Sequence, residues 1–301
     1  ISTGLTQGFS IQLSQYYGAK DFENLRKSLA HSYRLTAFIA AGVLILSQSF
    51  ASLVLTGLHT PSNIIGMSLL YLRIIFCGIP ATAAYNMFAS ALRAMGNSKT
   101  PLTAMIIASV LNVSLDILFV AGFGWGVAGA AIATVIAQSF SAVYCFLILR
   151  RIDIVHLTRA DFMPASGMNA RLMKLGIPVV FQNIIIGVGG LVVQYVINGY
   201  GFLFVAGFTA TNKLYGLLEM AAISYGYAIV TYVGQNLGAG KIDRIRKGVR
   251  SSMLLSLLTS LIISAAMFLF GKNILSLFIS GEPQQTQEVL AIAFKYLSIM
   301  A

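Results

Sequence analysis

Long apolar runs separated by short polar connections dominate the chain. They predict membrane-spanning helices at 35–56, 64–92, 100–121, 126–149, 174–199, 204–235 and 250–271. Each run is at least as long as the roughly 20 residues that a helix needs to cross a bilayer. Shorter apolar segments at 1–17 and 286–301 are interpreted as partial spans. The pattern therefore predicts an all-α polytopic membrane protein, and a chain that forms part of a longer one.

The basic residues follow the same pattern. The chain has 20 Lys and Arg against 9 Asp and Glu, a net charge of +11, yet only 10% of its residues are charged. Most of the basic residues fall in the connections at 18–34, 93–99, 150–174 and 241–250. Lys272 is the only basic residue in the alternate connections, near 57–63, 122–125, 200–203 and 272–285. The positive-inside rule places the first set in the cytoplasm, so the charge reflects topology and not nucleic-acid binding.

Residues 124–129, Gly-Trp-Gly-Val-Ala-Gly, match the spacing of a dinucleotide-binding loop. Such a loop follows a short strand and precedes an acidic residue by about 20 positions. Here the preceding apolar run is too long for a strand, and no acid follows before Asp153. We interpret the segment as a tight turn between two spans, in which small residues allow close helix packing.

No grouping of residues predicts an enzyme or a structural metal site. Cys77 and Cys145 lie within apolar runs and are expected to be buried thiols. The histidines, His31, His59 and His156, fall in predicted loops without metal-ligand spacing. Neither a nucleotide-binding loop of the form GxxxxGK[ST] nor a local catalytic triad is present.

An internal repeat relates the two ends of the chain. Residues 15–27 align without a gap with residues 235–247. The two segments share a Gln, a Gly-Ala pair, an acid and an Arg-Lys pair. Weaker matches follow at nearly the same offset, for example Tyr71-Leu72 with Tyr296-Leu297. Both Gly-Ala turns lie on the predicted cytoplasmic side, so the repeats are expected to be parallel.

The repeat sets the expected domain organisation. We predict an amino-terminal lobe at 1–150, a cytoplasmic linker at 151–171 and a carboxy-terminal lobe at 172–301. If the two halves have the same length as parallel repeats, about 50 further residues are expected before this chain and about 74 after it. The expected parent has about 425 residues and twelve spans in two six-helix lobes.

Three stretches in this order resemble the multidrug and toxic compound extrusion (MATE) family. They are residues 78–102 (GIPATAAYNMFASALRAMGNSKTPL), 111–134 (LNVSLDILFVAGFGWGVAGAAIAT) and 233–240 (VGQNLGAG). The resemblance covers the chain from the second span of that fold into the tenth. It implies a pair of six-helix lobes that exports organic, often cationic, compounds in exchange for Na⁺ or H⁺.

Asp116 and Glu219 are the acids that lie within the seven complete spans. A charge at the bilayer centre costs at least ~2.5–3.5 kcal/mol, so each is a functional hypothesis. Counting ~1.5 Å per residue from the glycine turn places Asp116 roughly 7–8 Å deep, Thr134 roughly 12 Å deep and Asn112 roughly 14 Å deep. Their oxygens suit a small cation, and a carboxylate removed from water can instead hold a proton.

The resemblance implies the same set of residues. In MATE proteins similar to this chain, the matching Asn, Asp and Thr join an aspartate of the first span, which lies outside this sequence, to bind the coupling ion. Asn112, Asp116 and Thr134 match those positions one by one. The alternative is that Asp116 and Asn112 only satisfy packing hydrogen bonds between helices.

Glu219 is the second acidic candidate. Asn212 lies two turns earlier on the same face, and Lys213 lies about 60° away around the helix. The set either forms a further proton or cavity site or contains a structural ion pair. Some MATE proteins carry an acid on the seventh span, but 174–199 offers only amides, which favours coupling through the amino-terminal lobe.

Candidate substrate-cavity residues are Tyr85, Asn86, Gln182, Gln194 and Asn198, although lipid-facing or packing roles remain open for all of them. Pro80 and Pro178 are expected to bend their helices.

The expected function is secondary antiport by alternating access, without an organic cofactor. The alternative is a lipid-linked oligosaccharide flippase, which would need several basic residues in its cavity. The expected partners are small organic cations and the lipid bilayer. The expected setting is a monomer in the bacterial inner membrane.

Overall fold

The computed structural model describes residues 2–57, 62–276 and 283–300, and this part of the chain is almost entirely helical. The long helices are α1 Ser2–Gly18, α2 Phe22–Gly57, α3 Ser62–Cys77, α4 Ile79–Ala94, α5 Lys99–Asp116, α6 Gly126–Arg150, α7 Met168–Asn198, α8 Phe202–Gly238, α9 Ile242–Ser276 and α10 Pro283–Met300. A π-helical segment, Ile117–Gly122, extends α5, and two short 3₁₀ turns, Asp153–Val155 and Arg159–Phe162, lie between α6 and α7.

Seven helical segments among the described residues are long and apolar enough to cross a membrane. They correspond to the seven predicted spans, so the all-α polytopic class is confirmed. The predicted connections near 57–63 and 272–285, with His59, lie partly outside the described residues.

The span predicted at 64–92 is broken in two. Gly78 separates α3 from α4, and Pro80 lies in the first turn of α4. Pro80 has no N–H to continue the helical ladder, which explains why a new helix begins here. Glycine fits because a Cβ at position 78 would lie 2.9 Å from Cγ2 of Val135 on α6. By contrast, α7 continues through Pro178.

The chain forms two compact units. The first contains residues 1–182 and 237–240, and the second contains residues 183–236 and 241–301. The core of the first unit is built from large side chains such as Phe9, Leu29 and Met87. A smaller core in the second unit includes Leu214, Leu275 and Leu297.

The repeated Gly-Ala turns adopt one geometry. After α1, the N–H of Lys20 donates to Tyr17 O (3.1 Å) and that of Asp21 donates to Tyr16 O (3.0 Å). After α8, the residues 220 positions later repeat both bonds, at 3.1 and 2.8 Å. Lys20 and Gly240 both have left-handed φ, 58° and 69°. Each turn is thus a Schellman-type helix end, which supports the internal repeat.

The segment between α6 and α7 packs on α2. His31 Nε2 lies 3.1 Å from the carbonyl oxygen of Met163, and His31 Nδ1 lies 2.7 Å from Asn169 Oδ1. Arg26 pairs with the buried carboxylate of Asp161 at 3.7 Å. His31 therefore does not lie in a loop as predicted. The connection at 18–34 is helical from Phe22 onward, because these long-range contacts stabilise that polar end of α2.

Candidate functional site

The turn between α5 and α6 brings the two helices close together. Gly124 and Gly126 have left-handed φ of 70° and 54°, which favours glycine. Gly129 lies against the π-helical segment, where an added Cβ would be 2.9 Å from Cβ of Phe119. The stacked rings of Phe119 and Trp125, with centroids 5.0 Å apart, cover the turn. The segment is therefore a tight helical turn that allows close packing, and a π-helical segment, not a strand, lies directly before it.

Asn112 and Thr134 meet across this helical hairpin. Asn112 Nδ2 donates to Thr134 Oγ1 at 3.5 Å, and Thr134 Oγ1 donates to the carbonyl oxygen of Ala130 at 3.0 Å. The hydroxyl therefore uses its hydrogen within α6 and presents its lone pairs toward α5. Counting residues from the glycine turn places both side chains at a similar depth, and the structure brings them into contact.

Asp116 is the last residue of α5, and the π-helical segment begins directly after it. In that segment the N–H of Phe123 donates to Leu118 O at 2.9 Å, a five-residue separation. π-helical turns are rare and are frequently found at functional sites. The sequence did not predict this segment, since its residues continue the apolar run of α5.

One carboxylate oxygen of Asp116, Oδ1, is buried and has no hydrogen-bond partner in the described part of the chain. A buried polar atom without a partner loses its hydration without compensation, at a cost of about 1–3 kcal/mol. Binding a cation or a proton removes that cost. Asp116 is therefore suited to bind an ion; it lies one helical turn from Asn112 along the chain, but it does not line the cavity described below.

A cavity of about 440 Å³ opens beside this contact in the first unit. It is lined by Thr3, Thr82, Tyr85, Asn86, Met105, Ala108, Ser109, Asn112, Thr134, Ala137, Gln138 and Ser141. The lining contains hydroxyls and amides but no charged side chain. Tyr85 and Asn86, two of the predicted cavity residues, are among them.

Hydrogen bonds join the elements around this cavity. Asn86 Nδ2 donates to Thr3 Oγ1 of α1 at 3.4 Å, and Thr82 Oγ1 donates to Gln138 Oε1 of α6. The sequence analysis did not name Thr82 or Gln138. Gln138 could have been identified from the sequence, because Thr134, Gln138 and Ser141 recur on one face of α6 at helical spacing.

The remaining candidates lie elsewhere. Asn212, Lys213 and Glu219 are exposed on α8 in the second unit. On α7, Gln194 Nε2 donates to Asn198 Oδ1 at 2.8 Å. Gln182 is exposed at the end of the first unit. None of these side chains lines the cavity described above, and their roles stay predictions.

Comparison with known proteins decides the family. The MatE family model matches residues 1–118 and 178–301. The chain belongs to the MatE family. The resemblance found in the sequence is thereby confirmed, and the match of two separate stretches agrees with an internal repeat.

Named relatives of this MatE chain come from Bacillus subtilis. The probable multidrug resistance protein YoeA is 28% identical over 98% of this chain and 65% of its own length. The probable multidrug resistance protein YpnP is 32% identical over 99% of this chain and 66% of its own length. The chain thus spans slightly less than two thirds of these relatives.

A solved structure shows the same fold. A multidrug resistance MATE family transporter of the MOP superfamily, in an outward-facing conformation, matches with a TM-score of 0.87 and 18% identity. The match covers 99% of this chain and 66% of the transporter. The MATE-type fold predicted from the sequence is therefore shown for this chain.

Proposed function

We propose that the complete protein is a secondary antiporter that exports organic, cationic compounds in exchange for Na⁺ or H⁺. Membership of the MatE family and the names of the B. subtilis relatives support transport of drugs rather than catalysis. They also favour drug export over an oligosaccharide flippase. The cavity lining adds support, because a flippase that binds pyrophosphate would need basic side chains and this lining has none.

The observation that carries the proposal is the buried, unpartnered Oδ1 of Asp116. It lies one helical turn from Asn112, which in turn contacts Thr134 across the hairpin. A carboxylate, an amide oxygen and a hydroxyl form a set of hard oxygen ligands that suits a small cation. The carboxylate by itself can hold a proton, so the set serves either coupling ion.

Antiport requires that the ion and the drug favour different states of the transporter. In this proposal, the ion binds at Asp116 in one state of the transporter, the state in which α5 and α6 hold it. Ion binding therefore lowers the free energy of that state relative to the other. The adjacent cavity, which offers hydroxyls, amides and the ring of Tyr85, receives the organic compound. Since no Lys or Arg lines the cavity, a cationic compound meets no repulsive charge there.

The test uses the complete protein in proteoliposomes, with uptake of a fluorescent organic cation under an imposed Na⁺ or pH gradient. Asp116→Asn removes the charge and nearly preserves the volume. We expect wild type to move the dye under one of the two gradients, which identifies the ion. We expect the variant to fall to the level of empty liposomes.

Glu219→Gln is the matched control, since it neutralises the other acid within a predicted span. It is expected to keep gradient-driven uptake. If Glu219→Gln abolishes uptake and Asp116→Asn does not, the coupling site is on α8 and the assignment of Asp116 is wrong. If neither gradient moves any cation with wild type, the proposal of cation antiport fails.

The proposal also includes the membrane location and the oligomeric state. Seven apolar helical segments within the described residues make this a multi-pass membrane protein. We place it in the bacterial inner membrane as a monomer, with the basic connections in the cytoplasm.

A further inference from the structure

Two further cavities adjoin each other on the first unit, where α2, α4 and α6 pack together. One, of about 330 Å³, lies at the end of α6 beneath the α6–α7 connection and includes Arg150, His156 and Phe162. We call it the basic pocket. The other, of about 380 Å³, runs along α2 and α4, and we call it the apolar groove. Tyr33 and Phe146 line both cavities, so the two adjoin at these side chains, and we call the pair the recess.

The basic pocket combines a cation with an apolar wall. Arg150 ends α6 and is exposed, and its guanidinium takes part in no ion pair within the described part of the chain. His156 also lines the pocket and is exposed, and its Nε2 lies 3.9 Å from Asp153 Oδ1. Arg34 Nη1 donates to the carbonyl oxygen of Phe162 at 2.9 Å, which holds that side of the pocket in place.

The apolar groove is a slot formed by small side chains. Ala40, Ala83 and Met87 form its buried floor, each at most 3% exposed, whereas Ala37 and Ala41 are exposed on its edge. Apart from the Thr36 hydroxyl and the Tyr33 phenol, its lining is apolar. A slot of this kind on a membrane-spanning surface offers space to a hydrocarbon chain.

Aromatic rings form the junction between the two cavities. The rings of Tyr33 and Phe88 meet edge to face with centroids 5.4 Å apart, and those of Phe88 and Phe146 lie 5.3 Å apart. Aromatic side chains are typical of the level where the membrane changes from hydrocarbon to headgroups. The junction therefore has the kind of side chains found at the level where a lipid changes from acyl chain to headgroup.

We propose that this recess binds one anionic phospholipid, with the phosphate at Arg150 and an acyl chain in the apolar groove. The basic pocket and the apolar groove follow one another in the same order as the headgroup and the acyl chain of a lipid. From Tyr33 to Leu44 the groove follows α2 for eleven residues, or roughly 16 Å at ~1.5 Å per residue. Half of a hydrocarbon core is roughly 15 Å thick, so the groove fits one acyl chain of one leaflet.

The charge of this surface favours an anionic headgroup. Arg150 lies at the membrane face that carries the basic connections, which is the face the positive-inside rule places toward the anionic cytoplasmic leaflet. A soluble phosphate would use the basic pocket but would leave the apolar groove empty. A basic pocket directly beside an apolar groove therefore points to a lipid.

The test is native mass spectrometry of the complete protein in detergent, titrated with phosphatidylglycerol or with phosphatidylcholine of the same acyl chains. Arg150→Gln removes the charge of the basic pocket, and Ala41→Phe fills the edge of the apolar groove. Arg151→Gln, which changes the next arginine outside the pocket, is the first control. Ala265→Phe, at an exposed alanine of α9, is the second.

We expect wild type to retain phosphatidylglycerol about fivefold more strongly than phosphatidylcholine, the factor that one basic residue contributes at an anionic membrane surface. Arg150→Gln should abolish this preference, and Ala41→Phe should lower retention of both lipids. Both controls should behave as wild type, and inorganic phosphate should not displace the lipid.

Three results would overturn the proposal. Equal effects of Arg150→Gln and Arg151→Gln would indicate diffuse surface attraction. Displacement by inorganic phosphate would indicate an anion site without a lipid. Unchanged lipid retention in Ala41→Phe would exclude the groove. Because binding is measured without a gradient or a drug, none of these results depends on the proposed antiport.

Discussion

Replacement of Lys20 by glycine is expected to stabilise the protein. Lys20 is exposed at the end of α1 and has a φ of 58°, a left-handed conformation that is unfavourable for a residue with a Cβ. The matching position in the second copy of the turn is Gly240, with a φ of 69°. The first copy therefore carries a backbone strain that the second copy avoids.

The magnitude follows from two opposing effects. Left-handed helical geometry costs a non-glycine residue roughly 1–2 kcal/mol. Glycine loses more conformational entropy on folding, which costs roughly 0.5–1 kcal/mol and offsets part of the stability gained by relieving the strain. We therefore expect Lys20→Gly to raise the free energy of unfolding by about 0.5–1 kcal/mol.

The assay is equilibrium unfolding of the complete protein in mixed micelles. Lys20→Ala is the control, since it removes the same charge and keeps the strained backbone, and it should match wild type. Gly240→Ala should instead lower the free energy of unfolding by about 1 kcal/mol. If Lys20→Gly is no more stable than Lys20→Ala, strain at this turn does not limit stability and the reasoning is refuted.

Three further substitutions test the packing and the site. Gly129→Ala should destabilise by about 1–3 kcal/mol in thermal unfolding, because its Cβ would lie 2.9 Å from Cβ of Phe119. Gly122→Ala, whose Cβ would have its nearest contact at 3.5 Å, should cost less, and equal losses would contradict this account. Thr134→Val should abolish gradient-driven dye uptake while Thr134→Ser retains it, and full uptake by the valine variant would exclude the hydroxyl as an ion ligand. Asp161→Ala should lower the free energy of unfolding by about 2 kcal/mol, since Oδ2 accepts two hydrogen bonds from the threonine that begins its turn, at 2.7 and 2.8 Å. Asp161→Asn keeps an acceptor and should lose less, so equal losses would argue against that reasoning.

The amino-acid sequence by itself determined the spans, the glycine turn and the repeat. The seven spans follow from the length of apolar runs, because backbone groups in a bilayer must be satisfied within each helix. The turn at Gly124 and the helix end before Gly240 follow from local backbone preferences, which act between residues a few positions apart. The approach of Asn112 and Thr134 was also predictable, since a tight turn fixes the depth of both helices that it joins.

Only the tertiary structure decided which distant side chains meet. Thr82 and Gln138 are 56 residues apart, and His31 and Asn169 are 138 residues apart, so neither contact leaves a local pattern. The π-helical segment after Asp116 continues an apolar run, and Gly129 packs against Phe119 within that segment. The cavities beside α2, α4 and α6 arise from packing between helices, because their shape depends on which small residues face one another after folding.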